Sequence, residues 1–283
     1  MPATDDAARG PTYRRRMNLA ANLVAAARRV PERPALKLDG AETSYRMLET
    51  ASARLAGFLR RRGMRPGARV AVMLPNIPEF VVVYYGVLRM GGVVVPIEPG
   101  LNSQAIALCL LDAGVSLLFA WHGVAEIADA GADATGAQCV FVAPYEFSRL
   151  LSRVPPDRAL HRAGDADAAV LCDDADAPLT HGALGCEARA IVAVAGLAPA
   201  DVTLGALPFL RRAGQAWAVN ATIAAGACLV PMERYGLDAA VERIVCDGVT
   251  VFQGTRRMCD EVLGSGSGLR VCVAGERVLA ATR

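Results

Sequence analysis

Residues 69–97, RVAVMLPNIPEFVVVYYGVLRMGGVVVPI, decide the fold. Val70–Leu74 reads as a buried strand, and Asn76 with Glu79 three residues later makes a capping-box-like start for a helix running to about Met90. Val93–Ile97 is then a second strand. Phe80 to Ile97 is the longest apolar run of the chain, but Arg89, Gly91, Gly92 and Pro96 interrupt it, so it reads as a helix turning into a buried strand and not as a membrane span. Two strands joined through one helix of this length imply a right-handed crossover and parallel pairing.

Upstream, Asn18 is placed to cap a helix with Leu19, Leu23, Ala26, Ala27 and Val30 on one face, stopped by Pro31 and Pro34. A hairpin follows, 35–38 and 43–45, turning at Asp39-Gly40. A helix with Leu48, Leu55 and Leu59 on one face then ends at Arg60-Arg61-Arg62-Gly63. Downstream, a helix near 103–113 and strands at 117–120 and 139–143 continue the alternation. Residues 144–167, with Pro144, Pro155 and Pro156, read as a linker. A second alternating run has strands at 168–172, 202–207, 227–231, 249–252 and 269–274. The organisation expected is a flexible arm over 1–16, a first α/β subdomain over 17–165 and a second over 166–283.

Of 283 residues, 53% are hydrophobic and 20% charged, which excludes a polar disordered chain, and a net charge of +2 with 5% aromatics gives no nucleic-acid surface. Lys37 is the only lysine among 30 basic residues. Eight cysteines without a C-x-x-C pair read as reduced core thiols of a cytoplasmic protein, and the polar amino terminus has no secretory h-region.

Several segments in order resemble the large amino-terminal domain of adenylate-forming enzymes, the superfamily of acyl-CoA synthetases, peptide-synthetase adenylation domains and luciferases. They are NLAANLVAAARRVPERPAL (18–36), TSYRMLETASARLAGFLRRRGMRPGARVAVMLPNIPEF (43–80) and GVLRMGGVVVPIEPGLN (86–102), then LTHGAL (179–184), LGALPFLRRAGQ (204–215), AAGACLV (224–230) and GVTVFQGTRRM (248–258). The order of the later segments is most similar to that of fatty-acid or aryl-acid CoA ligases. The resemblance implies an α/β fold of two adjacent parallel or mixed sheets flanked by helices. It also implies a reaction in which a carboxylate attacks the α-phosphate of ATP and a thiol then takes the acyl group, with magnesium neutralising the phosphates.

In that superfamily a Ser/Thr/Gly-rich loop ending in lysine wraps the phosphates just before the LTH-type segment. Here the stretch is Cys172-Asp173-Asp174-Ala175-Asp176-Ala177-Pro178, followed by Leu179-Thr180-His181. It is several residues shorter and holds no glycine, serine, threonine or lysine. One aspartate within about 5 Å of a phosphate costs several kcal/mol at an effective dielectric near 20. Cys172, Asp173, Asp174, Asp176, Thr180 and His181 therefore mark a degenerate phosphate-loop position. By resemblance, Phe209, Arg211, Gly214, Gln215, Gln253, Gly254, Thr255 and Gly275 would line a residual crevice at the carboxyl ends of the strands, suited to an acyl or aryl carboxylate. Arg211 and Arg212 fit either recognition of an anion or a salt-bridged pair at a strand end.

The segments that in the superfamily carry the magnesium ligands, the ribose-binding aspartate and the catalytic lysine lie beyond Arg283, and strand 269–274 is expected to leave a sheet edge uncovered. That edge predicts association, as a homo-oligomer or with a ligase-like chain, helix 236–246 joining the contact, unless residues 275–283 fold back over it. A Cys172–His181–aspartate nucleophilic site, a cation site among the aspartates at 165–176, a phosphate role for Gly264–Gly268 and an anion-surface role for Arg14–Arg16 are each weaker than a core cysteine, a solvated acidic loop, a connector and a solvated arm. His122 and His161 receive no role. The expectation is a catalytically degenerate relative acting as a binding, scaffold or regulatory subunit, with no catalytic residue, metal or cofactor, ATP or AMP with magnesium entering only if the family function is retained. The alternative is an adenylating subunit active only with a partner chain, or an enzyme repurposing the crevice.

Overall fold

The computed structural model describes residues 18–172, 177–274 and 277–281. Helix α1 (Ala21–Arg29) is followed by a hairpin of β1 (Pro34–Leu38) and β2 (Ala41–Ser44). Asp39 and Gly40 take φ of +49° and +78°, the two consecutive positive values such a tight turn requires. Asn18 stands two residues before the N-cap of α1, which is Ala20. Its Oδ1 accepts from the Ala20 N–H at 2.9 Å and its Nδ2 donates to the Leu88 carbonyl at 2.6 Å, so it anchors the helix start to the core instead of capping it.

Ser44 caps α2 (Tyr45–Arg61), and β3 (Arg69–Met73), α3 (Pro78–Met90) and β4 (Val93–Pro96) form the crossover read from residues 69–97. Every residue of α3 from Phe80 to Met90 is buried, as a helix apolar on all sides must be. Its end is forced by Gly91 at φ +91°, where a Cβ would lie 2.5 Å from the His161 ring. Then come α4 (Ser103–Asp112), β5 (Leu117–Trp121), α5 (Ala125–Asp133), β6 (Gln138–Val142), α6 (Pro144–Ser152), β7 (Ala168–Val170), β8 (Leu179–Thr180), α7 (His181–Ala195) and β9 (Val202–Gly205). A π-helix over Gly214–Ala221 runs into α8 (Thr222–Ala225), followed by β10 (Cys228–Pro231), α9 (Leu237–Cys246), β11 (Val251–Gly254), α10 (Arg256–Gly264), β12 (Val271–Ala274) and β13 (Arg277–Ala281).

Two sheets result, of seven strands in the order β13-β12-β11-β9-β10-β1-β2 and of six in the order β6-β5-β3-β4-β7-β8, parallel except at their hairpins. Buried residues of α2 and α3 share one core with Val70, Val72 and Phe119 of the six-stranded sheet and Leu36 and Leu229 of the seven-stranded one, so these helices lie between the sheets. Helices α4 and α5 cover the outer face of the first sheet and α9 and α10 that of the second. The α7 helix, the π-helix and α8 complete the inner layer against β11 and β12.

Three expectations change. Residues 144–152 are a helix, because Pro144 sits in its first turn, where its missing N–H is not needed, and Phe147 and Leu151 enter the core. The following segment is held on the helices, with Asp157 N–H donating to the Ala53 carbonyl at 2.9 Å and His161 N–H to the Arg89 carbonyl at 3.0 Å. The hairpin β1–β2 pairs with β10, while β7 and β8 complete the six-stranded sheet, so each sheet draws strands from both sides of residue 166. Finally, β12 is not an edge: β13 pairs with it antiparallel, satisfying the backbone groups that the sequence reading left open. The arm over 1–16 lies outside the described residues. All eight cysteines are free thiols, but Cys186 and Cys246 are exposed and not core.

Candidate functional site

The carboxyl ends of β9 and β10 meet that of β3, and Asn76, just past β3, ties them. Its Nδ2 donates to the carbonyls of Gly205 (3.1 Å), Leu207 (2.9 Å) and Met232 (3.0 Å), and its Oδ1 accepts from the Phe209 N–H at 2.8 Å. This replaces the capping role expected of Asn76: Ile77 is the N-cap of α3 and no side chain caps it. The Phe209 ring packs on Phe80 at 5.5 Å between centroids. Gly214 opens the π-helix where a Cβ would stand 2.0 Å from the Pro208 carbonyl oxygen, so only glycine lets the chain turn back on itself. π-helical turns of this kind recur at functional sites.

Gln215, on that π-helix, is fully buried. Its Nε2 approaches Cys172 Sγ at 3.6 Å, and that sulfur lies 3.8 Å from the Leu210 carbonyl, while Gln215 Oε1 has no partner. Register places Thr203 and Gln253 on the same face of the seven-stranded sheet, the one covered by α7 and the π-helix. Gln253 Nε2 and Thr203 Oγ1 are also buried without a hydrogen bond. Each such group left without a partner costs about 1–3 kcal/mol. Asn220 is fully satisfied, its Oδ1 accepting from the Tyr85 hydroxyl and its Nδ2 donating to the Tyr84 oxygen, both at 3.1 Å, and burial pushes both phenols up.

The sequence-predicted residues separate into groups. Phe209, Gly214, Gln215 and Cys172 come together, and Gln253 is joined to them through its strand neighbour Gly205. Gly254 is buried beside Gln253, whereas Thr255 is exposed and caps α10 by accepting from the Met258 N–H at 3.3 Å. Arg211 and Arg212 are the salt-bridged alternative, paired with Glu98 at 3.0 Å and Glu187 at 3.3 Å. Asp173, Asp174, Asp176 and Gly275 lie outside the described residues. Four cavities of about 360–530 Å³ are lined by other parts of the chain, His181 alone of the predicted residues lining one of them.

Thr180 and His181 are drawn away from Cys172 by the β7–β8 hairpin. Thr180 pairs with Ala168 at the amino end of β7, whereas Cys172 follows its carboxyl end, a separation of roughly 13 Å at about 3.3 Å per residue. No Cys172–His181 nucleophilic site exists. Thr180 caps α7 by accepting from the Ala183 N–H at 3.1 Å, and His181 Nδ1 accepts from the Leu19 N–H at 3.1 Å. Burial pushes His181 down to about 4, against the attraction of Asp167, so it is neutral and structural. Between about pH 6.5 and pH 4 the unfolded chain binds a proton at this position that the folded chain does not. Stability present above pH 6.5 is therefore expected to fall by up to about 3 kcal/mol as pH drops to 4 and then level off. Urea midpoints at pH 7 and 4.5 check this, and His181→Gln, whose amide oxygen still accepts from Leu19, should flatten the dependence.

Among the described residues no group of three or more His, Cys, Asp or Glu is placed to hold a metal ion. No helix of the described residues is long and apolar enough to cross a membrane.

The sequence pattern of the family described as AMP-binding enzyme matches residues 23–172, slightly more than half of the chain. A long-chain-fatty-acid–CoA ligase of Bacillus subtilis (strain 168) is 40% identical over 96 residues, 34% of this chain and 17% of the ligase. Triostin synthetase I of Streptomyces triostinicus is 34% identical over 139 residues, 49% of this chain and 23% of the synthetase. The benzoate CoA ligase of Burkholderia xenovorans LB400 superposes with a TM-score of 0.83 at 22% identity, over 91% of this chain and 55% of that one. The chain thus spans about half of that structure and a smaller part of the two relatives. Its two sheets are those of the amino-terminal part of acyl-CoA ligases, and the chain belongs to the AMP-binding enzyme family.

Proposed function

We propose that this chain uses the AMP-binding fold to bind and not, by itself, to form acyl-adenylates, acting as a degenerate relative in a binding, scaffold or regulatory role beside a ligase. The observation that carries this reading is the segment 172–178, CDDADAP, in which three carboxylates stand where the resemblance places a phosphate-wrapping loop. Two further facts support it. The strands on either side of the segment, β7 and β8, pair antiparallel, and the only lysine, Lys37, is engaged 3.0 Å from Glu42 on the hairpin of the other sheet. The ligand we assign to the layer under the π-helix is a small acyl or aryl carboxylate, one of its oxygens accepting from Gln253 Nε2, the unpartnered donor of that layer. Eight free thiols fit a reducing, cytoplasmic setting.

Pyrophosphate exchange by the purified chain over a panel of carboxylic acids is expected to stay at background, and calorimetry with ATP or AMP and magnesium to give no saturable heat. Turnover by the chain alone would overturn the reading. Turnover appearing only when a ligase-like chain is added would instead identify an adenylating subunit completed in trans.

A further inference from the structure

A cavity of about 400 Å³ opens between the β1–β2 hairpin, α2, the first turn of α3 and α6, and it shares no lining residue with the layer under the π-helix. Helix α2 presents Met47, Thr50, Ala51 and Arg54 to it, the i, i+3, i+4, i+7 spacing of one helical face. Leu36, Val82, Phe147 and Leu151, all buried, give it an apolar wall.

Three ionisable side chains line this cavity: Arg46, Arg54 and Glu79. Arg46 is held by Glu32. Arg54 and Glu79 are half-buried, and among the described residues neither makes an ion pair; Arg54 Nε is buried with no acceptor. Burial pushes the Glu79 carboxyl up, against a hydrogen bond from its own backbone N–H. A cation and a carboxyl therefore face one apolar space, apart from each other and without partners. Half-buried charges left unpaired forfeit solvation that nothing in the chain returns. A simple carboxylate would leave Glu79 unmatched, a simple amine would leave Arg54 unmatched, and a phosphate would meet the Glu79 charge.

We propose that this cavity binds a small zwitterion whose carboxylate and ammonium are separated by hydrocarbon, of the ω-amino carboxylate type, the carboxylate on the Arg54 guanidinium and the ammonium on Glu79. The methylenes then lie along Leu36, Val82, Phe147 and Leu151, in a space within the range of about 300–1,000 Å³ usual for small-molecule sites. This stands independently of the reading of segment 172–178, and success or failure of pyrophosphate exchange does not touch it.

Calorimetric titration of the full chain with ω-aminooctanoate, octanoate and octylamine tests it. The zwitterion is expected to bind at least about tenfold tighter than either single-ended probe. Glu79→Gln should abolish the advantage of ω-aminooctanoate over octanoate without weakening octanoate itself, and Arg54→Gln should weaken both carboxylates but not octylamine. No saturable heat with ω-aminooctanoate up to about 10 mM, octanoate binding as tightly as the zwitterion, or either variant weakening all three probes alike would overturn it. If Arg54→Gln does not fold cooperatively, Glu79→Gln with the three probes decides alone.

Discussion

Glu49→Leu is expected to lower the unfolding free energy by about 3–5 kcal/mol, measured by urea denaturation, because it strands a buried guanidinium. Arg89 is 1% exposed, on the stretch of α3 that is buried from Phe80 to Met90. Its Nη1 and Nη2 both reach Glu49 Oε1, at 2.9 and 2.6 Å, and Nη1 also donates to Ser52 Oγ at 3.3 Å. Burial draws the Arg89 pKa down, and the Glu49 carboxylate is the largest influence holding it up. Arg158 contacts the other oxygen of Glu49 from the surface, its side chain 59% exposed. The two halves of the pair are therefore unequal. Arg89→Met leaves Glu49 still paired with Arg158, so it should cost less than Glu49→Leu, which leaves Arg89 with no hydrogen-bonded carboxylate. The double variant should be more stable than Glu49→Leu alone, since removing both buried charges replaces a desolvated pair by packing. Equal losses in the two single variants, or strict additivity in the double, would show that the pair is not the electrostatic unit its geometry describes.

Local pattern carried the fold where the signal lies within one turn or one strand. The run at 80–90 reads as a helix from its capping signal and Asp39-Gly40 as a hairpin turn, and the structure has both. Placement in space was legible only where a neighbour in sequence is also a neighbour in the fold. Cys172 and His181 are nine positions apart, yet the hairpin between them carries His181 to the opposite end of β7. The hairpin β1–β2 looked like part of the first α/β run but pairs with β10, almost two hundred residues on, because Leu36 completes the core beside Leu229. The chemistry of the candidate site divided in the same way. Three aspartates at 173–176 are visible in sequence as the wrong charge for a phosphate, whereas the orphaned amides of Gln215 and Gln253 become a feature only when both are known to be buried. In sequence Glu79 reads only as a capping partner for Asn76 and Arg54 carries no role, until one cavity is found to hold them both.

Asn76 is the strongest instance, since its partners lie 129 to 156 residues away and nothing local distinguishes it from a cap. Asn76→Ala is expected to cost about 3 kcal/mol or more, because it leaves up to four main-chain groups at the junction of the two sheets without their partner. Hydrogen exchange should quicken first at Phe209, whose N–H loses its acceptor. Asn76→Asp separates hydrogen bonding from packing. A carboxylate of the same shape has no donor for the carbonyls of Gly205, Leu207 and Met232 and adds a buried charge, so the folded protein should favour its protonated form and raise its pKa above the unfolded value of about 3.9. The contribution of a group raised in this way is present below the unfolded pKa and lost as pH rises through the folded one. The deficit of Asn76→Asp relative to the parent chain should therefore be larger at pH 7 than at pH 4, whereas the deficit of Asn76→Ala should be the same at both. If the two deficits move together with pH, the three carbonyls are not what Asn76 holds, and the junction of the sheets must rest on the Phe80–Phe209 contact instead.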